Sequence, residues 1–231
     1  MNRLKDVLEH HKGDNELCAA VFSDKGIISA GLLELPLAII REAGAKAVIL
    51  DDLPAEPSCD QAQRVVDEFK KTGADIIVAV GGGSVMDIAK LASILSADEY
   101  GVRELLEDPL LGKKYVPSVM IPTTAGTGSE ATPNSIVAVP EKELKVGIVN
   151  PEMIADAVIL DARMIAGLPR SIAAATGVDA LCHAIECYTS NKSNPFSDTF
   201  ALEALDLIIN NIIEACDNPN AIDAKNNMLI A

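Results

Sequence analysis

The stretch Asp75-Ile76-Ile77-Val78-Ala79-Val80-Gly81-Gly82-Gly83-Ser84 passes from an apolar, β-branched run straight into three glycines and a serine. The run has the length and composition of a buried strand, and the residues after Ser84 take up helical spacing, with Val85, Ile88, Ala89 and Ala92 at i, i+3, i+4 and i+7. Glycines here allow positive φ and a close approach of backbone to ligand. The free N–H groups and dipole at the start of the next helix favour phosphate. A tight turn without a ligand would use the same glycines. The segment is neither GxGxxG nor a Walker loop, since Lys90 stands too far beyond Gly83. Asp87, in the first turn of that helix, could hold a ligand hydroxyl or simply favour the dipole.

Working outward, similar apolar runs occur at 17–22, 47–50, 117–121 and 157–160, each bounded by Gly, Pro, Asp or Ser. Ala62, Val65, Val66 and Phe69 again fall at helical spacing between two of them. Alternation of strand and helix predicts a Rossmann-like α/β domain over residues 1–167, with a parallel sheet covered on both faces. Beyond residue 168 no strand-like run follows. Phe200, Ala201, Ala204, Leu205, Ile208 and Ile212 form one apolar stripe, with Pro195 near the helix start. Residues 168–231 are therefore expected to be all-helical. Their pattern runs to the last residue without a capping Gly or Pro, so this second domain is expected to be incomplete and its apolar stripe uncovered.

The 231 residues carry a net charge of −15, which argues against nucleic acid and anionic membrane surfaces. Aromatic residues make up 3% with no Trp, so base-stacking platforms are not expected and a small polar ligand is. No apolar run approaches the ~20 residues of a spanning helix, and the charged N-terminus has no signal-peptide core. A cytoplasmic location with reduced thiols at all five cysteines is the expectation.

A second loop, Ile121-Pro122-Thr123-Thr124-Ala125-Gly126-Thr127-Gly128-Ser129-Glu130, is dense in hydroxyls and also follows a strand. In open α/β sheets the ligand crevice lies beyond the carboxyl ends of the strands, where both loops belong. Further on, Asp179 and His183 stand four apart, on one helix face. An Asp oxygen with an imidazole nitrogen suits Fe²⁺ or Zn²⁺, although the same pair also serves as an ordinary helical ion pair. The remaining histidines, His10 and His11, fall in a charged first helix and are expected to be solvated.

Taken together, GGGSVMDIAK (81–90), IPTTAGTGSEATP (121–133), PEMIADAVILD (151–161) and AATGVDALCHAIE (174–186) resemble the iron-containing alcohol dehydrogenases, in that family's order and spacing. The resemblance implies an NAD(H)-linked, metal-dependent alcohol dehydrogenase or aldehyde reductase acting on a small alcohol or aldehyde. It also implies a homo-oligomer. It places Asp24 at the adenosine ribose, favouring NAD over NADP, and Gly81, Gly82, Gly83, Ser84 and Asp87 at the pyrophosphate. Thr123, Thr124 and Thr127 would line the nucleotide, with Asn134 and Lys145 completing the cleft. Asp179 and His183 would be the first two ligands of Fe²⁺ or Zn²⁺. Where the family has Asn in a Pro-Asn-Pro-Thr-like segment, this chain has Glu56. The family begins upstream of Met1 and carries two further ligand histidines beyond Ala231, so the chain is expected to be truncated at both ends and impaired in turnover. Other readings are a non-catalytic nucleotide-binding fragment and a dehydroquinate-synthase-like NAD and metal enzyme.

Overall fold

A computed structural model describes residues 1–13, 16–97 and 99–231. The chain divides into two compact units, Met1–Pro122 with Ser129–Ile159, and Thr123–Gly128 with Leu160–Ala231.

The first unit runs α1 (Asn2–His11), β1 (Cys18–Phe22), α2 (Lys25–Ser29), α3 (Glu34–Glu42), β2 (Lys46–Leu50), α4 (Cys59–Thr72), β3 (Ile76–Gly81), α5 (Gly83–Ile94), α6 (Val102–Glu107), β4 (Ser118–Pro122), β5 (Asn134–Val139), β6 (Leu144–Val149) and β7 (Ala157–Val158). Five strands form a parallel sheet in the order β2-β1-β3-β4-β7. β3 lies at its centre and every one of its residues is buried, which is why its sequence is a continuous apolar run and does not alternate. Of the expected strands, the last is the one that shrinks, to two residues.

The helices are set by local signals. α4 opens on a capping box, in which the Ser58 hydroxyl accepts from Gln61 N and the Gln61 side chain accepts from Ser58 N, and it stops at Gly73 with φ 60°. Its stripe of Ala62, Val65, Val66 and Phe69 is buried, and the Phe69 ring meets Phe22 of β1 at 5.6 Å between centroids. α5 departs from the single-stripe expectation: every residue from Val85 to Ile94 is buried, including Asp87, Lys90 and Ser93. It packs against β3, β4, α4 and β5, so it has no solvent face.

The antiparallel pair β5–β6 is absent from the sequence expectation. In this pair burial alternates along β5 and β6 is mostly exposed; the apolar run at 136–139 is as long as the one at 47–50, whereas Lys145 and Gly147 interrupt the partner strand β6 and hide it from the sequence. Its turn is closed by Glu143, one of two non-glycine residues with positive φ (51°) among the described residues; the other is Glu56 (51°).

The second unit contains a short 3-10 turn (Ala162–Met164) and the helices α7 (Arg170–Thr189), α8 (Pro195–Asp217) and α9 (Ile222–Ile230). α8 packs on α7 and α9, and Gly177 permits close approach, since a Cβ there would come within 2.8 Å of Ile212. The expected uncovered stripe is corrected by this packing. Ala201 and Ile208 are buried and Ala204, Leu205 and Ile212 are partly buried; of the six, Phe200 alone is open, at 74% exposure. α8 is apolar on more than one face, and its exposed apolar residues are Phe196, Phe200, Leu202, Ile209 and Ile213. No helix among the described residues is long and apolar enough to cross a membrane. All five cysteines are free.

Candidate nucleotide crevice and metal ligands

In the order 2-1-3-4, successive connections leave β1 in opposite directions, and a crevice opens between the carboxyl ends of β1 and β3. The ends are locked together from below. Ser23, directly after β1, donates its hydroxyl to Val80 O (2.9 Å) and its N–H to Leu50 O (3.0 Å), joining the ends of β1, β2 and β3. Above that floor lies a crevice of ≈ 450 Å³, walled by Asp24, Lys25 and Gly26 after β1, by Leu53, Pro54 and Ala55 after β2, and by Gly82, Gly83, Ser84 and Val85 after β3. Of these, Ser23, Lys25 and the 53–55 wall carried no signal in the sequence.

α5 enters the crevice without a side-chain cap, because Gly82 at its N-cap has none to offer. Its first N–H groups therefore remain available to a ligand, and the positive end of the helix points there. The expected positive φ is not used, since the positive-φ glycines of the chain are Gly31, Gly44, Gly73 and Gly128. What demands glycine at Gly81 is packing: a Cβ would come within 2.7 Å of the Val85 side chain. Asp24 both lines the crevice and caps α2, its Oδ1 accepting from Ile27 N at 3.0 Å.

Asp87 is the fifth residue of α5, beyond the first turn that the sequence suggests for it, and lies beneath this surface. It is 7% exposed, and its carboxylate accepts from the Ser129 hydroxyl, from Ile136 N (2.9 Å) and from the Lys90 ammonium (3.0 Å). Lys90, 1% exposed, also donates to Ser129 O and Oγ, both at 2.9 Å, and to Thr132 Oγ1 at 3.3 Å. Burial pulls this ammonium below its ordinary value, while Asp87 opposes the shift. Burial likewise pushes the neighbouring Glu130 carboxyl up, against its own backbone hydrogen bond and Lys90. The cluster ties α5 to the segment before β5.

At the rim, Glu56 donates its N–H to Ser84 Oγ (3.2 Å) and pairs through Oε1 with Lys145 Nζ of β6 (2.7 Å). Lys145 is thus engaged by Glu56. Asn134 begins β5, half-buried, opposite Val149.

Thr123, Thr124 and Thr127 fall in the segment that groups with the helical unit, and they are buried, half-buried and exposed respectively. Within that unit α7 carries Asp179 and His183, with Oδ2 and Nδ1 3.9 Å apart and both side chains about half exposed. His183 Nδ1 also lies 3.4 Å from Gly126 O. Helix periodicity brings these two residues to one face. An oxygen and an imidazole nitrogen on one exposed face fit a divalent transition metal as two of its ligands. No group of three or more His, Cys, Asp or Glu placed to hold an ion occurs among the described residues.

Residues 1–162 match the family model of iron-containing alcohol dehydrogenase, and residues 173–231 match that of the Fe-containing alcohol dehydrogenase family, C-terminal. Sulfoacetaldehyde reductase of Bilophila wadsworthia is 36% identical over 231 residues, all of this chain and 60% of its own length. A 1,3-propanediol dehydrogenase of Citrobacter freundii is 34% identical over 92% of this chain and 56% of its own. Among solved structures, a 1,3-propanediol oxidoreductase superposes with a TM-score of 0.88 at 30% identity, covering 99% of this chain and 60% of that one. Sulfoacetaldehyde reductase from Bifidobacterium kashiwanohense, in complex with NAD⁺, gives 0.87 at 26% identity, covering 99% and 61%. The chain spans about 60% of the length of these relatives. With both family models matched in order and the fold shared along nearly its whole length, the chain belongs to the iron-containing alcohol dehydrogenase family.

Proposed function

We propose that the protein is an NAD(H)-linked, divalent-metal-dependent oxidoreductase interconverting a small alcohol and its aldehyde. The observation that carries this is the crevice at the β1/β3 switch point, where the uncapped first turn of α5 opens opposite Asp24. N–H groups of Gly83 and Ser84 would take a pyrophosphate there. Ser84 Oγ already accepts from Glu56 N, so its own proton is left to donate to a phosphate oxygen. The Asp24 carboxylate would accept from ribose hydroxyls and repel a 2′-phosphate, favouring NAD(H) over NADP(H). Thr123, Thr124, Thr127, Asn134 and Lys145 are the further polar partners we assign to the nucleotide. Asp87 serves it from below, by fixing α5. Asp179 and His183 would hold Fe²⁺ or Zn²⁺. When bound, the cation would supply Lewis-acid polarisation of an alcohol or carbonyl oxygen and NAD(H) would supply hydride chemistry. Relatives named for sulfoacetaldehyde and 1,3-propanediol support a small alcohol or aldehyde as the substrate.

The test is calorimetric titration of NADH into the 231-residue chain, paired with NADH-linked aldehyde reduction in added Fe²⁺ or Zn²⁺. Binding with metal-dependent turnover is the expected result for a complete site; binding without turnover supports the nucleotide half alone. Failure to bind NADH would overturn the proposal.

A further inference from the structure

The His183 ring is bounded by acceptors at one nitrogen. Nδ1 lies 3.4 Å from the Gly126 carbonyl oxygen and 3.9 Å from Asp179 Oδ2. Neither a carbonyl nor a carboxylate can donate, so a bare Nδ1 would set lone pair against lone pairs, whereas a protonated Nδ1 is attracted to both. A neutral imidazole has one N–H, and placing it on Nδ1 leaves the lone pair on Nε2.

Gly126 reaches this position because it has no side chain. A Cβ would come within 2.6 Å of Thr176 O and 2.8 Å of Thr176 Cβ, a contact with helix backbone that no side-chain rotation relieves. Thr176 and His183 are two turns apart on one face of α7, and long helical side chains lean toward the N-terminus. The loop residue that packs on Thr176 is therefore met by the ring of His183 coming back along the same face.

We propose that Gly126 is a positioning residue: its carbonyl oxygen selects the Nδ1–H tautomer of His183 and so presents Nε2 outward, to a divalent cation. What Nε2 then binds rests on the metal half of the proposed function; the tautomer does not.

The experiment is long-range ¹H–¹⁵N correlation on the ¹⁵N-labelled, metal-free chain at about pH 8.5, where an imidazole is neutral. The chain has three histidines, so a His10→Gln/His11→Gln double variant leaves His183 as the one imidazole observed. The expected spectrum has Nδ1 protonated and Nε2 unprotonated, with added Zn²⁺ shifting Nε2 and leaving the Nδ1 proton in place. An Nε2–H tautomer, or the averaged signal of a free imidazole, overturns the proposal whether or not the chain binds zinc. An Nδ1–H tautomer that ignores Zn²⁺ upholds the positioning and counts against the metal reading. Gly126→Ala, checked for native circular dichroism, should weaken Zn²⁺ binding about ten- to a hundredfold. A folded Gly126→Ala chain with unchanged zinc affinity and an unchanged tautomer would also overturn it.

Discussion

The crevice and the Asp179/His183 pair are built in opposite ways. Around the crevice, three strand ends, a helix start and two loops converge over a buried floor, and the carboxylate that steadies α5 is itself locked by Lys90, Ser129 and the backbone of β5. The Asp179/His183 pair takes its spacing from one turn of one helix, and both side chains stand about half in solvent. The first arrangement is preorganised by the core, so its geometry and the stability of the fold are one property. The second borrows its spacing from helix periodicity and one contact from the Gly126 carbonyl, and its side chains can be changed with little cost to folding.

Substitution at Lys90 is the strongest way to break this contrast. Lys90→Met leaves Asp87 buried without its counter-charge and should cost about 3–5 kcal/mol in urea unfolding. His183→Ala, at an exposed helical position, should cost under about 0.5 kcal/mol while abolishing any response to Fe²⁺ or Zn²⁺. Comparable losses for the two variants would collapse the distinction.

Asp24→Asn comes next. Asn caps a helix as well as Asp does, so α2 should persist while the negative charge disappears. NADPH affinity is expected to rise about tenfold, about 1.4 kcal/mol, with NADH affinity falling or unchanged. No gain for NADPH in a direct titration would remove Asp24 from the ribose end. Ser84→Ala should lower NADH affinity about three- to tenfold, the worth of one hydrogen bond. It should leave metal binding untouched, whereas a change in both would mean the two regions are less independent than their construction suggests.

The smallest effect concerns pH. Burial raises the Glu130 carboxyl above its ordinary value near 4.5 in the folded chain, so between that value and the raised one the folded state holds more proton than the unfolded. Stability from this group is full below about pH 4.5 and is lost as pH rises through the folded value. Glu130→Gln should flatten that part of the curve of unfolding free energy against pH. An identical slope in the variant would assign the dependence to other groups.

The parts of the molecule legible in the sequence are those decided locally. The central strands announce themselves by unbroken apolar runs, and Asp179 with His183 by a spacing that any helix converts to one face. The parts that stayed hidden depend on distant partners. Lys145 and Gly147 break the pattern of β6, and the short apolar run at 136–139 becomes a strand through its pairing with it. The fate of Asp87 is settled by Ser129 and Ile136, which only the fold brings to it. At residues 81–83 the glycines mark the right place for a different reason, the approach of Val85 to Gly81 in place of a left-handed turn.

Glu56 and Glu143 share a positive φ that L-residues adopt at a cost of about 1 kcal/mol and that glycine adopts freely. Their fates under sequence drift should nevertheless diverge. At position 143 only the turn is at stake, and a library selected for thermal resistance should replace Glu with Gly or Asn. At position 56 the same replacement gives up the contact with Lys145 at the rim. Retention of Glu56 alongside loss of Glu143 would measure, in substitution frequencies, how far the rim is conserved for what it does and how far for how it folds.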